Sequence, residues 1–183
     1  MNYTDGNVLD IGAHIGLHSI AFNRMIPSNR KVFSFEAHPT IFEVLKRNCE
    51  QCSNVIPFHN AVSDKPGQIV YVDNVDFDSV VHQNSGGLGT NESKRTHGDL
   101  HCITTSIDSH HFENVTLVKI DVEGNEMNVL AGMSEMLRTQ KPVLFVEIHS
   151  TDRAEKLRQI EEMYNYTSVE QLSDIDFIFR SNN

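Results

Sequence analysis

A chain of 183 residues, 39% of them hydrophobic, suffices for one complete core and is too short for two ordinary domains, so a single domain over 1–183 is expected. Its formal net charge of −10 sets it against polyanions, so nucleic acid and anionic membrane surfaces are not expected partners. Three cysteines, Cys49, Cys52 and Cys102, follow no signal-like apolar stretch, and no apolar run nears the roughly 20 residues of a membrane span; the sequence therefore predicts a cytoplasmic protein with free thiols.

Three apolar runs, "NVLDIG", "KVFSFE" and "NVIPFHN", predict strands, separated by segments whose apolar residues recur at helical spacing. In "PTIFEVLKRNCEQC", Ile41, Phe42, Leu45 and Cys49 share one face, and Pro39 suits a first helical turn. Cys49 reads as core, since no second cysteine pair completes a zinc site. From Ser63 to Thr116 the chain is much longer than the dozen or so residues a compact crossover needs. That stretch carries two further strand candidates, "GQIVYVD" and "LHCITTSID", around a polar, glycine-rich centre that reads as a lid. His110 and His111, in "SHH", read as a solvated helix end. "TLVKIDV" and "PVLFVEIH" predict strands flanking one helix, "NEMNVLAGMSEMLR", and "RAEKLRQIEEMY" predicts another. "YTSV" and the alternating "DIDFIFR" close the chain, the latter as an edge or antiparallel strand. Together these predict a three-layer α/β domain with a mostly parallel sheet of seven principal strands, the last antiparallel, and a β insertion between strands 3 and 4.

In open α/β sheets, ligands sit beyond the carboxyl ends of the strands where strand order reverses, and "VLDIGAHIG" belongs there. Read as a dinucleotide fingerprint from Gly12, the pattern has His14 where the second glycine belongs and Leu17 in place of the third. What remains is D-x-G-x-x-x-G: Asp10 to accept from an ammonium or a water, Gly12 to clear a path for a ligand, and Gly16 to start a helix whose N–H groups meet a carboxylate. Glu36 closes the second strand about 20 residues later, suited to the two hydroxyls of a ribose. Asn60, read at the end of the third strand, has an amide that can donate to and accept from an adenine edge. Carboxylate, ribose and adenine are the three handles of S-adenosylmethionine.

At this point the sequence resembles the class I, Rossmann-like, S-adenosylmethionine-dependent methyltransferases, and within them the FkbM type. The matching stretches are "VLDIGAHIGLHSI", "VFSFEAHPTIFEVLKRN", "NAVSD", "NSGG", "LVKIDVEGNEMNVLAG" and "PVLFVEIH". The resemblance implies a Rossmann-like methyltransferase fold, S-adenosyl-L-methionine as cofactor and transfer to a hydroxyl oxygen, on a sugar or other small polyol-like metabolite. It implies Asp10, Gly12 and Gly16 at the methionine part, with Ala13 and His14 between them, Glu36 and Ala37 at the ribose, and Asn60, Ala61 and Val62 near the adenine. Asn84, Ser85, Gly86 and Gly87 are the expected acceptor-facing residues of the polar loop.

The fourth and fifth strands end in Asp121 and Glu123, and in Glu147 and His149. Methyl transfer to oxygen needs an aligned acceptor whose proton is removed or shared. His149 is the favoured general base, its ordinary pKa lying near neutrality, with Asp121 orienting the acceptor or holding the methionine amine. Asp121, Glu147 and His149 could instead, with Glu123, hold a divalent cation that acidifies the acceptor hydroxyl. For Glu123 and Glu126, stabilisation of a helix N-terminus is an equally good reading. Two alternatives to the enzyme stand at this stage: an NAD-linked oxidoreductase, and a non-catalytic S-adenosylmethionine-binding partner subunit.

Overall fold

In the computed structural model, which describes residues 5–72, 90–91, 100–148 and 152–182, the predicted apolar runs are strands of one ten-stranded sheet. Val8, Leu9, Asp10 and Ile11 of β1 (Asn7–Ile11) are all buried, as a central strand covered on both faces requires. It is followed by α1 (Leu17–Met25), β2 (Val32–Glu36), α2 (Pro39–Asn48) and β3 (Val55–Val62). Next come β4 (Ile69–Val72), β5 (Thr90–Asn91), β6 (His101–Thr105), a 3-10 turn (Asp108–His110) and β7 (Val115–Ile120). The chain closes with α3 (Glu126–Ala131), α4 (Ser134–Thr139), β8 (Val143–Glu147), α5 (Arg153–Tyr164), β9 (Tyr166–Gln171) and β10 (Asp176–Ser181).

The strand order is β5-β4-β6-β3-β2-β1-β7-β8-β10-β9. β1 pairs in parallel with β2 on one side and β7 on the other, so the order reverses at β1, and in open α/β sheets it is beyond the carboxyl ends at such a point that ligands bind. β10 runs antiparallel to both β8 and β9, as its alternating sequence predicts. The extra strands of 63–116 are part of the same sheet. β6 pairs in parallel with β3, β4 lies antiparallel to β6, and a short β5, unforeseen in the sequence, pairs with β4. The polar centre with Asn84, Ser85, Gly86 and Gly87 lies outside the described residues.

Alternation along the strands sends side chains to two cores. Leu9, Ile11, Phe35, Val118 and Ile120 meet Leu130, Met133, Leu137 and Ile160 on one face. Val8, Val32 and Leu117 meet Ile26, Leu45 and Cys49 on the other. Each such fully buried aliphatic chain contributes about 1.5–3 kcal/mol relative to exposure.

Three local expectations change. The single helix predicted over "NEMNVLAGMSEMLR" is two, α3 and α4, broken after Gly132, where a Cβ would lie 2.3 Å from the Ser63 carbonyl oxygen. The Asp108 carboxylate, from outside the helix, accepts from the N–H groups of Glu135 and Met136 at 2.9 and 3.0 Å and so starts α4 anew. Asn60 is not the end of its strand, because pairing with β6 carries β3 on to Val62. His110 is no solvated helix end: its ring stacks on Phe112 with centroids 5.0 Å apart, edge-on to Phe35 and Phe58, and its Nε2 is 2.8 Å from Thr105 Oγ1.

Candidate active site

Register places Ser34, Asp10 and Lys119 in one row across β2, β1 and β7, all on the face covered by α1. Each is buried, although its side chain is polar. Ser19 reaches down from α1 and donates from its hydroxyl to Asp10 Oδ2 at 2.6 Å. With its only proton spent on Asp10, Ser19 accepts from Ser34 at 2.8 Å. Asp10 Oδ1 lies 3.5 Å from Lys119 Nζ, an ion-pair contact too long for a hydrogen bond, and has no hydrogen-bond partner among the described residues. Asp10 therefore has no exposed surface, and the ammonium it faces is the chain's own.

Lys119 also donates to Gly12 O at 3.0 Å and to Asp121 Oδ2 at 3.2 Å. Burial pulls its pKa down, yet the combined attraction of Asp10 and Asp121 carries it above the ordinary lysine value, so it stays charged. Asp121 is the more open of the two carboxylates, with a quarter of its side chain exposed. Its backbone gives a structural reason for Gly12: at φ +76°, a Cβ on Gly12 would meet the Asp121 carbonyl oxygen at 1.7 Å, so the glycine admits the neighbouring strand end. Gly16, at φ +90°, makes room for Leu45 and Cys49 of the α2 segment and precedes α1, whose first turn has no side-chain cap.

Glu36 is buried, with both oxygens already accepting: Oε2 from His14 N at 2.9 Å and Oε1 from His38 N at 2.7 Å. It thus ties the turn after β1 to the turn after β2. Burial raises its pKa against the lowering effect of those two N–H groups. His14, at φ +51°, has its pKa lowered by burial, with Asp121 opposing. Ala13 is buried in the core beneath the turn, and Ala37 packs against Ala61, Val70 and Cys102. Asn60 donates from its amide to Ile103 O at 2.9 Å, Ala61 and Val62 are buried, and Val62 O accepts from Asn125.

At the ends of β7 and β8, Asp121, Glu123 and Glu147 each bring a carboxylate oxygen within 4.8 Å of the others, all three partly buried. His149, the expected fourth member, lies outside the described residues. Glu126 stands apart from this group: it is buried, accepting from Gly124 N at 2.6 Å and from Lys156 at 2.8 Å, which is a structural role at the start of α3.

Residues 10–179 match the family model described as the methyltransferase FkbM domain, a span that runs from the buried aspartate of β1 into β10. The chain belongs to the FkbM methyltransferase family. It is 29% identical over 177 residues to the hexuronic acid methyltransferase AglP of Haloferax volcanii, covering 95% of this chain and 70% of that protein. Its fold is similar to that of methyltransferase FkbM from Methylobacillus flagellatus KT, with a TM-score of 0.62 at 17% identity over 96% of this chain, which spans 43% of that one. A second similar fold, at TM-score 0.58 and 11% identity, is Aeropyrum pernix fibrillarin, solved with natively bound S-adenosyl-L-methionine; 98% of this chain matches 67% of that one. Family membership displaces the NAD-linked reading.

Sequence reasoning missed Lys119, Ser19, Ser34 and the capping role of His38, whose Nδ1 accepts from Thr40 N and Ile41 N. Lys119 did leave a signal, a lone charge inside "TLVKIDV", since an ammonium in a run of buried positions needs a partner. The serines left none.

Proposed function

We propose that this FkbM-family protein transfers the methyl group of S-adenosylmethionine to a hydroxyl oxygen of a sugar or similar small polyol-like metabolite. The observation that carries the reading is the gathering of Asp121, Glu123 and Glu147, with Asp121 packed against the turn that follows β1. The hexuronic acid methyltransferase of Haloferax volcanii, 29% identical, supports a sugar acceptor, and the fibrillarin fold with its bound cofactor supports S-adenosylmethionine. A net charge of −10 argues against a nucleic-acid acceptor.

The residues present fit the cofactor. The first turn of α1, with no side-chain cap, offers backbone N–H groups to a carboxylate. Asp10 being spent on Lys119 and Ser19, the partly open Asp121 is the group to receive the methionine ammonium. Glu36 has lone pairs beyond the two N–H groups it accepts, which suits it to ribose hydroxyls. The adenine would lie by Asn60, Ala61 and Val62, with the Asn60 carbonyl oxygen as acceptor because its amide nitrogen already donates to Ile103. When bound, the cofactor supplies an electrophilic methyl on a sulfonium. The chain's own task is to align the acceptor hydroxyl and take its proton, for which Glu147 and Glu123 are candidates alongside His149. Asn84, Ser85 and Gly86 are proposed to contact the acceptor.

The test is incubation of the purified protein with S-adenosylmethionine carrying a labelled methyl and a panel of hexoses and hexuronic acids. Label in a sugar methyl ether, with S-adenosylhomocysteine as co-product, is the expected result. Tight cofactor binding without transfer to any acceptor would favour a partner subunit over an enzyme. Tight binding of NAD and of neither S-adenosyl compound would overturn the cofactor reading.

A further inference from the structure

We infer that Lys119 is a positioning residue that holds the turns after β1 and β7 in one piece and leaves Asp121, not Asp10, to face the cofactor's amino-acid end. This inference rests on the S-adenosylmethionine reading given above. Lys119 donates to Gly12 O at 3.0 Å and to Asp121 Oδ2 at 3.2 Å, and its ammonium also forms an ion pair with Asp10 Oδ1 at 3.5 Å. Gly12 O belongs to the turn after β1, and Asp121 to the turn after β7, the two strands at which the sheet order reverses. The turns are already in backbone contact, since Asp121 N donates to Ile11 O at 3.0 Å and Gly12 has no room for a Cβ. Lys119 adds the side-chain tie that fixes the Asp121 carboxylate against them.

The charges decide which carboxylate is available. Asp10, Asp121 and Lys119 carry −1, −1 and +1, so the group as a whole keeps one negative charge. Asp10 is wholly buried against Ser19 and Lys119, whereas Asp121 reaches the surface, so the uncompensated charge is presented at Asp121. A ligand ammonium arriving there meets one negative charge held in a fixed place. Without Lys119 it would meet two carboxylates, one of them buried, and a turn carbonyl no longer restrained by its donor.

Lys119→Met alone can fail to fold, because it strands the Asp10 carboxylate in the core. The informative variant is therefore Asp10→Asn/Lys119→Met, which removes one charge of each sign and keeps the net charge of the group. Thermal melting checks its fold, and calorimetry compares S-adenosylhomocysteine with 5′-methylthioadenosine, which keeps the ribose and adenine and lacks the amino-acid tail. The expected result is a folded double variant whose affinity for S-adenosylhomocysteine falls by about tenfold or more, with methylthioadenosine affinity unchanged. Full retention of S-adenosylhomocysteine affinity, or an equal fall for both compounds, would overturn the positioning role. If the wild type binds S-adenosylhomocysteine and not methylthioadenosine, the tail supplies the affinity and S-adenosylhomocysteine alone decides. A wild type that binds neither would instead sink the cofactor reading itself.

Discussion

At Gly12 a side chain has no room, for a Cβ there would stand 1.7 Å from a backbone oxygen of β7's following turn, in a conformation that L residues rarely adopt. Gly12→Ala is therefore expected to lower stability by at least about 1–3 kcal/mol, the cost of one strained backbone position, before any steric displacement is counted. Urea unfolding checks this, and an unchanged midpoint would show that the turn relaxes freely. Glu36 pins His14 and His38 through their N–H groups, and each of its carboxylate oxygens has a further lone pair. If it holds the ribose, Glu36→Ala loses charge-assisted hydrogen bonds of about 1.5–3 kcal/mol each, so cofactor affinity falls at least tenfold by calorimetry. Full affinity in that variant would remove the ribose assignment. Both residues stand out in the sequence, yet the reason for Gly12 does not, because its neighbour is 109 positions away.

At the level of elements, packing overrules local periodicity in one place. Met127, Leu130, Met133 and Leu137 keep helical spacing through Gly132, and still the helix breaks, because Gly132 lies against Ser63 and Asp108 supplies a fresh N-terminal cap. Asp108→Ala should cost about 0.5–2 kcal/mol, the usual value of a lost cap, readable as a lower urea midpoint with no change in the unfolding slope. The same connection carries His110 into a cluster with Phe35, Phe58 and Phe112, where burial alone lowers its pKa from 6.5. A depressed folded-state value means that its contribution to stability is present above the unfolded pKa and is lost as pH falls through the folded one. Unfolding midpoints measured at about pH 7.5 and about pH 5.5 should accordingly fall less in His110→Phe than in the wild type. An equal fall in both would assign the acid sensitivity elsewhere, the half-buried His14 being another histidine whose value is lowered.

For the whole molecule, the site exists because parallel strands from distant parts of the chain end side by side. Asp121 and Glu123 follow β7 and Glu147 closes β8, so the carboxylate trio is a product of sheet order. Such a trio can bind a hard divalent cation, but Asp121 is tied to Lys119 and is the carboxylate proposed above for the methionine ammonium, which leaves two carboxylates for an ion. The enzyme is therefore expected to keep full turnover in EDTA; a loss restored by magnesium would show that the trio holds an ion. Among the described residues no helix is long and apolar enough to cross a membrane. The sequence by itself determined the alternation of strands and helices, the antiparallel last strand and the motifs at Asp10, Glu36 and Asp121, because periodicity and strand-end residues are local properties. It did not determine who meets whom. Only the tertiary structure decided that Asp10 is neutralised from within, that Asn60 is committed to β6, and that Lys119 stands in register with Asp10. Those outcomes depend on strand order and on the high cost of an unpaired buried charge, which is settled only when distant strands are brought together.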